Sequence, residues 1–186
     1  MDSYTKAEGR ILLDLIDKAI QFGLKTNKLL QLRLSDYTEK LQKKGASFIT
    51  LELQGQLRGC IGTLRAYQPL VQDIAQNSYY AAFKDTRFSP LTSDEYGKLR
   101  KTLSILSVPT RIEFTSEEDL IKKLQPGLDG LILSDKGHEG TFLPSVWQEL
   151  PEAKLFLEQL KLKAGFKKNY WSKTLIVARY RVKVIE

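Results

Sequence analysis

The segment Phe48 to Leu64, FITLELQGQLRGCIGTL, constrains this chain most, because apolar residues alternating on both sides of a glycine turn fit an antiparallel β-hairpin. In the first arm Ile49, Leu51 and Leu53 share one face, since strand side chains alternate with period two. A two-residue turn at Gln54-Gly55 would put Leu51 beside Arg58 and Ile49 beside Cys60. A three-residue turn at Gln54-Gly55-Gln56 puts Leu53 beside Leu57 and Ile49 beside Ile61. The second register keeps the apolar face uniform and is the one expected. It gathers Thr50, Glu52, Arg58 and Cys60 on the opposite face, with Glu52 across from Arg58.

The rest of the chain surrounds this hairpin with elements of mixed type. Thr5 and Glu8 have capping-box spacing ahead of a helix over Ile11 to Leu24, whose stripe is Leu12, Leu15, Ile16 and Ala19. The polar stretch Ser35 to Lys44 reads as a helix or a loop. Pro69 sits at an N1 position for a helix running to Asp85, and Thr92 with Glu95 forms a second capping box. Strands are expected at Leu103 to Leu106 and at Arg111 to Phe114. A helix capped by Ser116 and Asp119 follows, broken at Pro126-Gly127.

Gly130 to Leu133 and Thr141 to Leu143 read as strands around a turn at Asp135-Lys136-Gly137. Pro144 opens a short helix and Pro151 a longer one, with Gly165 at its C-cap. Thr174 to Ile185 alternates as one long strand, with Ile176, Ala178, Tyr180, Val182 and Val184 on one face and Arg179, Arg181 and Lys183 on the other. Strands interrupted by irregularly spaced helices do not repeat a βαβ unit, so the class is α+β with a mainly antiparallel sheet flanked by helices. The 186 residues suit a single domain, 1–186, with room for two lobes bounded near Pro90 and Pro126.

No apolar run reaches bilayer length, and the first ten residues lack a hydrophobic signal region, so a cytoplasmic globular protein without membrane association is expected. One cysteine and one histidine offer neither an internal disulfide nor a zinc cluster, and neither a metal site nor a cofactor is signalled. The net charge of +7 resides in the last stretch, where Lys154 to Glu186 holds nine Lys/Arg against two acidic residues. Such a segment suits a solvated face, the commoner case, or an anionic partner such as RNA, with Trp147, Tyr170 and Trp171 available for base stacking or for core packing.

Cys60 is the candidate nucleophile, since a thiolate beside a cation such as Arg58 is reactive; packing as a small apolar group is the commoner use of a free cysteine. Gly59 and Gly62 allow close approach of a ligand or of another backbone. Lys84, Asp85 and Arg87 form a charged cluster at a helix end, suited to holding an anion or to clamping the loop before Pro90. His138, in a glycine-rich turn, is the one imidazole available for a Cys-His pair, and exposure there is the commoner case.

Leu57 to Gly62, LRGCIG, resembles the hallmark hexapeptide of the AMMECR-one domain family, also called AmmeMemoRadiSam system protein A. Ala82 to Leu91 followed by Glu95 resembles the family's second block. Gly130-Leu131-Ile132, Thr141 to Pro144 with Val146, Lys163-Ala164-Gly165 and Arg179-Tyr180 resemble later blocks in the right order. The resemblance implies an α+β body with a larger and a smaller lobe around a cleft, and a functional region at the hexapeptide. It supports Arg58, Gly59, Cys60, Gly62, Lys84, Asp85 and Arg87, and does not support His138. It carries no established reaction. Association with Memo-type and radical S-adenosylmethionine proteins is implied, which suits an enzyme or enzyme subunit binding a small or nucleotide-like anionic substrate at Cys60, with Glu52 or Asp85 assisting. A non-catalytic adaptor or a basic RNA-binding module is the alternative.

Overall fold

A computed structural model describes residues 4–186. Two compact units emerge, 1–107 with 183–186, and 108–182. Through the first unit run α1 (Lys6–Thr26), α2 (Glu39–Gln42), β1 (Ala46–Leu53), β2 (Gln56–Gly62), α3 (Leu70–Phe83), α4 (Ser93–Tyr96) and β3 (Leu99–Leu106). The second holds β4 (Thr110–Arg111), α5 (Glu117–Lys123), β5 (Gly130–Asp135), β6 (His138–Phe142), α6 (Ala153–Lys163) and β7 (Ile176–Tyr180). The chain then returns as β8 (Val182–Ile185). The sheets are ordered β2-β1-β3-β8 and β4-β7-β5-β6, so the fold is α+β with two four-stranded antiparallel sheets. Among the described residues no helix is long and apolar enough to cross a membrane.

Local signals act as their spacing predicts. Thr5 accepts from the Glu8 amide while the Glu8 carboxylate accepts from the Thr5 amide, closing the capping box that starts α1. At the start of α4 the Glu95 carboxylate accepts from the Thr92 amide and hydroxyl, and Ser116 caps α5 through the Asp119 amide. Leu12, Leu15, Ile16 and Ala19 of α1 are buried against Ile49, Leu51, Leu103 and Ile105 of the first sheet and Val71 and Ile74 of α3. Pro69 stands one place earlier than expected, at the N-cap of α3. The stretch from Ser35 to Lys44 takes both expected forms, a 3-10 turn ending at Asp36 and the single turn of α2.

The hairpin combines features of both registers considered. Leu53 pairs with Gln56, so the turn is the two residues Gln54 and Gly55, both with positive φ. Leu51 pairs with Gly59 and Glu52 with Leu57, which leaves Arg58 as the extra residue of a β-bulge. The bulge restores Ile49 beside Ile61 and Thr50 beside Cys60, as the three-residue turn required. Glu52 therefore faces Leu57 and not Arg58, and Leu57 is exposed.

The last strand departs most from expectation. Thr174 to Ile185 divides at Arg181 into β7 and β8, which belong to different sheets. Leu175 and Val177 enter the second core with Leu131, Leu133, Trp147, Phe156 and Leu160, whereas Ile176 is exposed. The core face is thus the one opposite Ile176. Tyr180 is nonetheless buried, its ring lying over Gly130 and its hydroxyl donating to the Phe142 carbonyl, and burial raises its pKa to about 12. The strand expected over Arg111 to Phe114 contracts to Thr110–Arg111. Chain division falls at Ser107/Val108 and Val182/Lys183. Pro90 and Pro126 lie inside the units because their loops are tied back, by the Leu91 amide on the Ala82 carbonyl and by the Gln125 amide on the Asp129 carboxylate.

Candidate functional site around the edge strand

β2 is an edge strand of its sheet, so one row of its backbone groups points away from β1. At Cys60 those groups are taken by the loop that follows α3. The Cys60 amide donates to Asp85 Oδ2 at 2.9 Å, and Arg87 Nη2 donates to the Cys60 carbonyl at 3.2 Å. Asp85 and Arg87 thereby occupy the two positions a neighbouring strand would fill. They are also joined to each other, Nε to Oδ1 at 2.9 Å and Nη2 to Oδ2 at 2.7 Å, the bidentate fork that arginine offers a carboxylate.

With its backbone bonded outward, Cys60 forms a non-hydrogen-bonded pair with Thr50, the kind that brings cross-strand side chains closest. Its Sγ lies 3.5 Å from Thr50 Oγ1, and the residue is partly exposed. Asp85 is buried, and the Arg87 guanidinium holds its carboxyl well below the ordinary range, with the amides of Cys60 and Arg87 adding to the effect. The Arg87 guanidinium is in turn pushed up, chiefly by Asp85 and to a smaller extent by Cys60. The Arg87 side chain is 54% exposed, and no described residue bonds its Nη1.

Arg58 points elsewhere. Its Nε and Nη2 donate to the two oxygens of Glu95 at 2.8 and 3.0 Å, and the side chain is only 10% exposed. Glu95 also receives the Thr92 amide and hydroxyl, and Arg58 is the main cause of its pKa falling to about 2. The Phe88 ring lies within 6 Å of both guanidinium carbons, 5.9 Å from that of Arg58 and 5.4 Å from that of Arg87. Sequence reading placed Glu95 in a capping box but missed it as the partner of Arg58, because one carboxylate serves both and only the cap has a sequence spacing.

The glycines serve packing. A Cβ on Gly59 would come within 2.2 Å of the Ala81 carbonyl oxygen of α3, and one on Gly62 within 2.1 Å of the Phe48 ring, its cross-strand partner. Glu52 lies between Leu57 and Arg100 on the neighbouring strands. Lys84 is exposed, with no described hydrogen bond to the cluster. The hairpin is fixed on α3 by a second buried carboxylate, Asp73. It accepts from the Ser47 amide and hydroxyl, from Asn77 and from the Thr63 hydroxyl, so both arms are tied to one helix side chain.

His138 lies in β6 of the second unit with its ring against Phe166. Of the residues proposed for base stacking, Trp147 is buried and stacked on Phe156 at 3.7 Å, and Tyr170 stacks on Phe166 and donates to Asp135. Trp171 is 36% exposed. Lys161, in the basic segment, is fully buried and paired with Glu117 at 2.7 Å. Among the described residues no three His, Cys, Asp or Glu side chains converge as a metal site.

Protein LS215_2104 of Saccharolobus islandicus is 38% identical over 171 residues, covering 88% of this chain and 74% of its own. A protein of Methanothermobacter thermautotrophicus is 33% identical over 162 residues, covering 87% and 84%. The crystal structure of the uncharacterized protein PH0010 from Pyrococcus horikoshii matches with a TM-score of 0.85 at 31% identity, over 95% of this chain and 89% of that one. A family model, AMMECR1, matches residues 13–185, which span both units and the whole of the Cys60 site, and the chain belongs to the AMMECR1 family.

Proposed function

We propose that this protein is an enzyme or enzyme subunit that binds a small or nucleotide-like anionic substrate beside Cys60, with Cys60 as nucleophile and Arg87 as the anion-holding group. The observation that carries this reading is the state of Arg87. Asp85 fixes one edge of its guanidinium, the Cys60 carbonyl takes part of the other, and the side chain stays 54% exposed. A guanidinium held in advance loses little freedom when an anion arrives, and beside a sulfur it stabilises negative charge passing between the two. Arg58, committed to Glu95, acts here by positioning the bulge. A modification pathway shared with Memo-type and radical S-adenosylmethionine proteins is the setting we propose for the reaction.

Alkylation by iodoacetamide tests the site. Cys60 should react faster than free cysteine at pH 7, and Arg87→Ala should slow it about tenfold while Arg58→Ala acts mainly through stability. Reaction at the rate of an unperturbed thiol, with Cys60→Ala leaving pathway output intact, would sink the nucleophile. RNA binding is the second reading, favoured by the exposed Lys167, Lys168 and Lys173. Fluorescence titrations with and without salt separate the two: binding that falls steeply with salt and with Lys167→Glu/Lys168→Glu supports RNA, and no binding at low ionic strength removes it.

A further inference from the structure

β8 closes the first sheet, with β3 on one side and no described strand on the other. A cavity of about 370 Å³ lies along it, lined by Lys6, Arg10 and Leu13 of α1 and by Lys183, Val184 and Ile185. Helix and strand approach closely at its floor, where a Cβ on Gly9 would sit 3.4 Å from Ile185. Val184 is 48% exposed on this edge. The groove therefore combines a strand edge with a helix wall, the geometry in which an extended peptide adds to a sheet.

Charge selects the occupant. Lys6, Arg10 and Lys183 have no hydrogen bond or ion pair with any described carboxylate. Glu8 is paired with Lys40 at 2.8 Å, and Glu186, which also lines the groove, is paired with Arg100 at 2.6 Å. A solvated lysine on an edge strand also serves to discourage pairing between copies, but three cations around one groove, without a carboxylate partner among the described residues, leave a positive field that a strand of alternating apolar and acidic residues would meet.

We propose that this groove binds an extended acidic peptide of a partner protein as a fifth strand on β8. Its apolar side chains lie on the face of β8 that carries Val184, and its carboxylates lie on the opposite face, shared by Lys183 and α1, toward Lys6, Arg10 and Lys183. The surface is separate from Cys60 and does not depend on the function proposed there.

The test uses the full chain, labelled with 15N, and an acetylated octapeptide pool alternating Asp or Glu with Val, Ile or Leu. The pool should shift the amides of residues 6–13 and 183–186 saturably. N-methylation of alternate peptide amides should weaken binding at least tenfold, as should the double variant Lys6→Glu/Arg10→Glu. Absence of shifts, equal binding of the N-methylated pool, or equal binding of a pool with Lys or Arg in place of the acids would overturn the proposal. So would an octauridylate that shifts these amides where the peptides do not. A paired thermal melt of the double variant separates lost binding from lost fold.

Discussion

Asp85 satisfies the Cys60 amide and orients Arg87 with the same carboxylate, so its removal should act on stability and on the site together. Asp85→Asn should cost about 2 kcal/mol in urea denaturation, because a buried charge-assisted network loses its anion. Gly59→Ala should cost a similar amount, about 2 kcal/mol, since the new methyl meets backbone and not a movable side chain. Acid titration reads the carboxylates directly. Glu95 has a folded pKa of about 2 against an ordinary 4.5, so the stability it contributes is complete above pH 4.5 and is lost as pH falls toward 2. Asp85 is depressed in the same sense, so its contribution also disappears with acid. Glu95→Gln should flatten the pH dependence of stability between pH 5 and pH 2 by about one proton's worth, measured by denaturation at stepped pH. At this scale Cys60, Asp85 and Arg87 were nameable from residue type and neighbourhood. Their bonding was not, because Asp85 lies 25 residues from Cys60 and only folding decides which of several carboxylates arrives there.

Turns and strands follow their own rules at the next scale. Gln54-Gly55 and Lys136-Gly137 are both two-residue hairpin turns with positive φ at each position. Asparagine tolerates that conformation better than glutamine or lysine. Gln54→Asn and Lys136→Asn should each raise stability by about 0.5 kcal/mol in chemical denaturation. In α6, Lys161 is buried whereas Glu117 keeps 29% of its side-chain surface exposed and can rehydrate. Lys161→Met should therefore be within about 1 kcal/mol of the parent, and Lys161→Ala should lose about 2–3 kcal/mol through the cavity it leaves. Helix starts were legible in the sequence because a cap and its partner are three residues apart. The Arg58 bulge was not, since alternation alone describes a strand without saying where its partner slips.

Over the whole molecule, the chain leaves the first unit after Ser107 and returns at Lys183, so 108–182 is one continuous segment with its own core, from Ile112 to Val177. A fragment of 108–182 should unfold cooperatively by itself, as followed by circular dichroism in urea. A fragment of 1–107 lacks β8 and leaves β3 as a bare edge, so it should be less stable than the full chain and prone to associate, as light scattering would detect. The α+β class, the capping-box spacings, the hairpin and the family are legible in residue order, because each is written in spacings of two to four residues or in ordered motifs. Tertiary structure alone decided that Arg58 pairs with Glu95 while Arg87 serves Cys60. It also decided that Lys161 and Trp147 are interior, and that one alternating segment supplies strands to two sheets. The physical reason is common to all three: a side chain's charge and size are local properties, but its partner is whichever group the packed chain brings within bonding distance, and burial then makes that pairing obligatory.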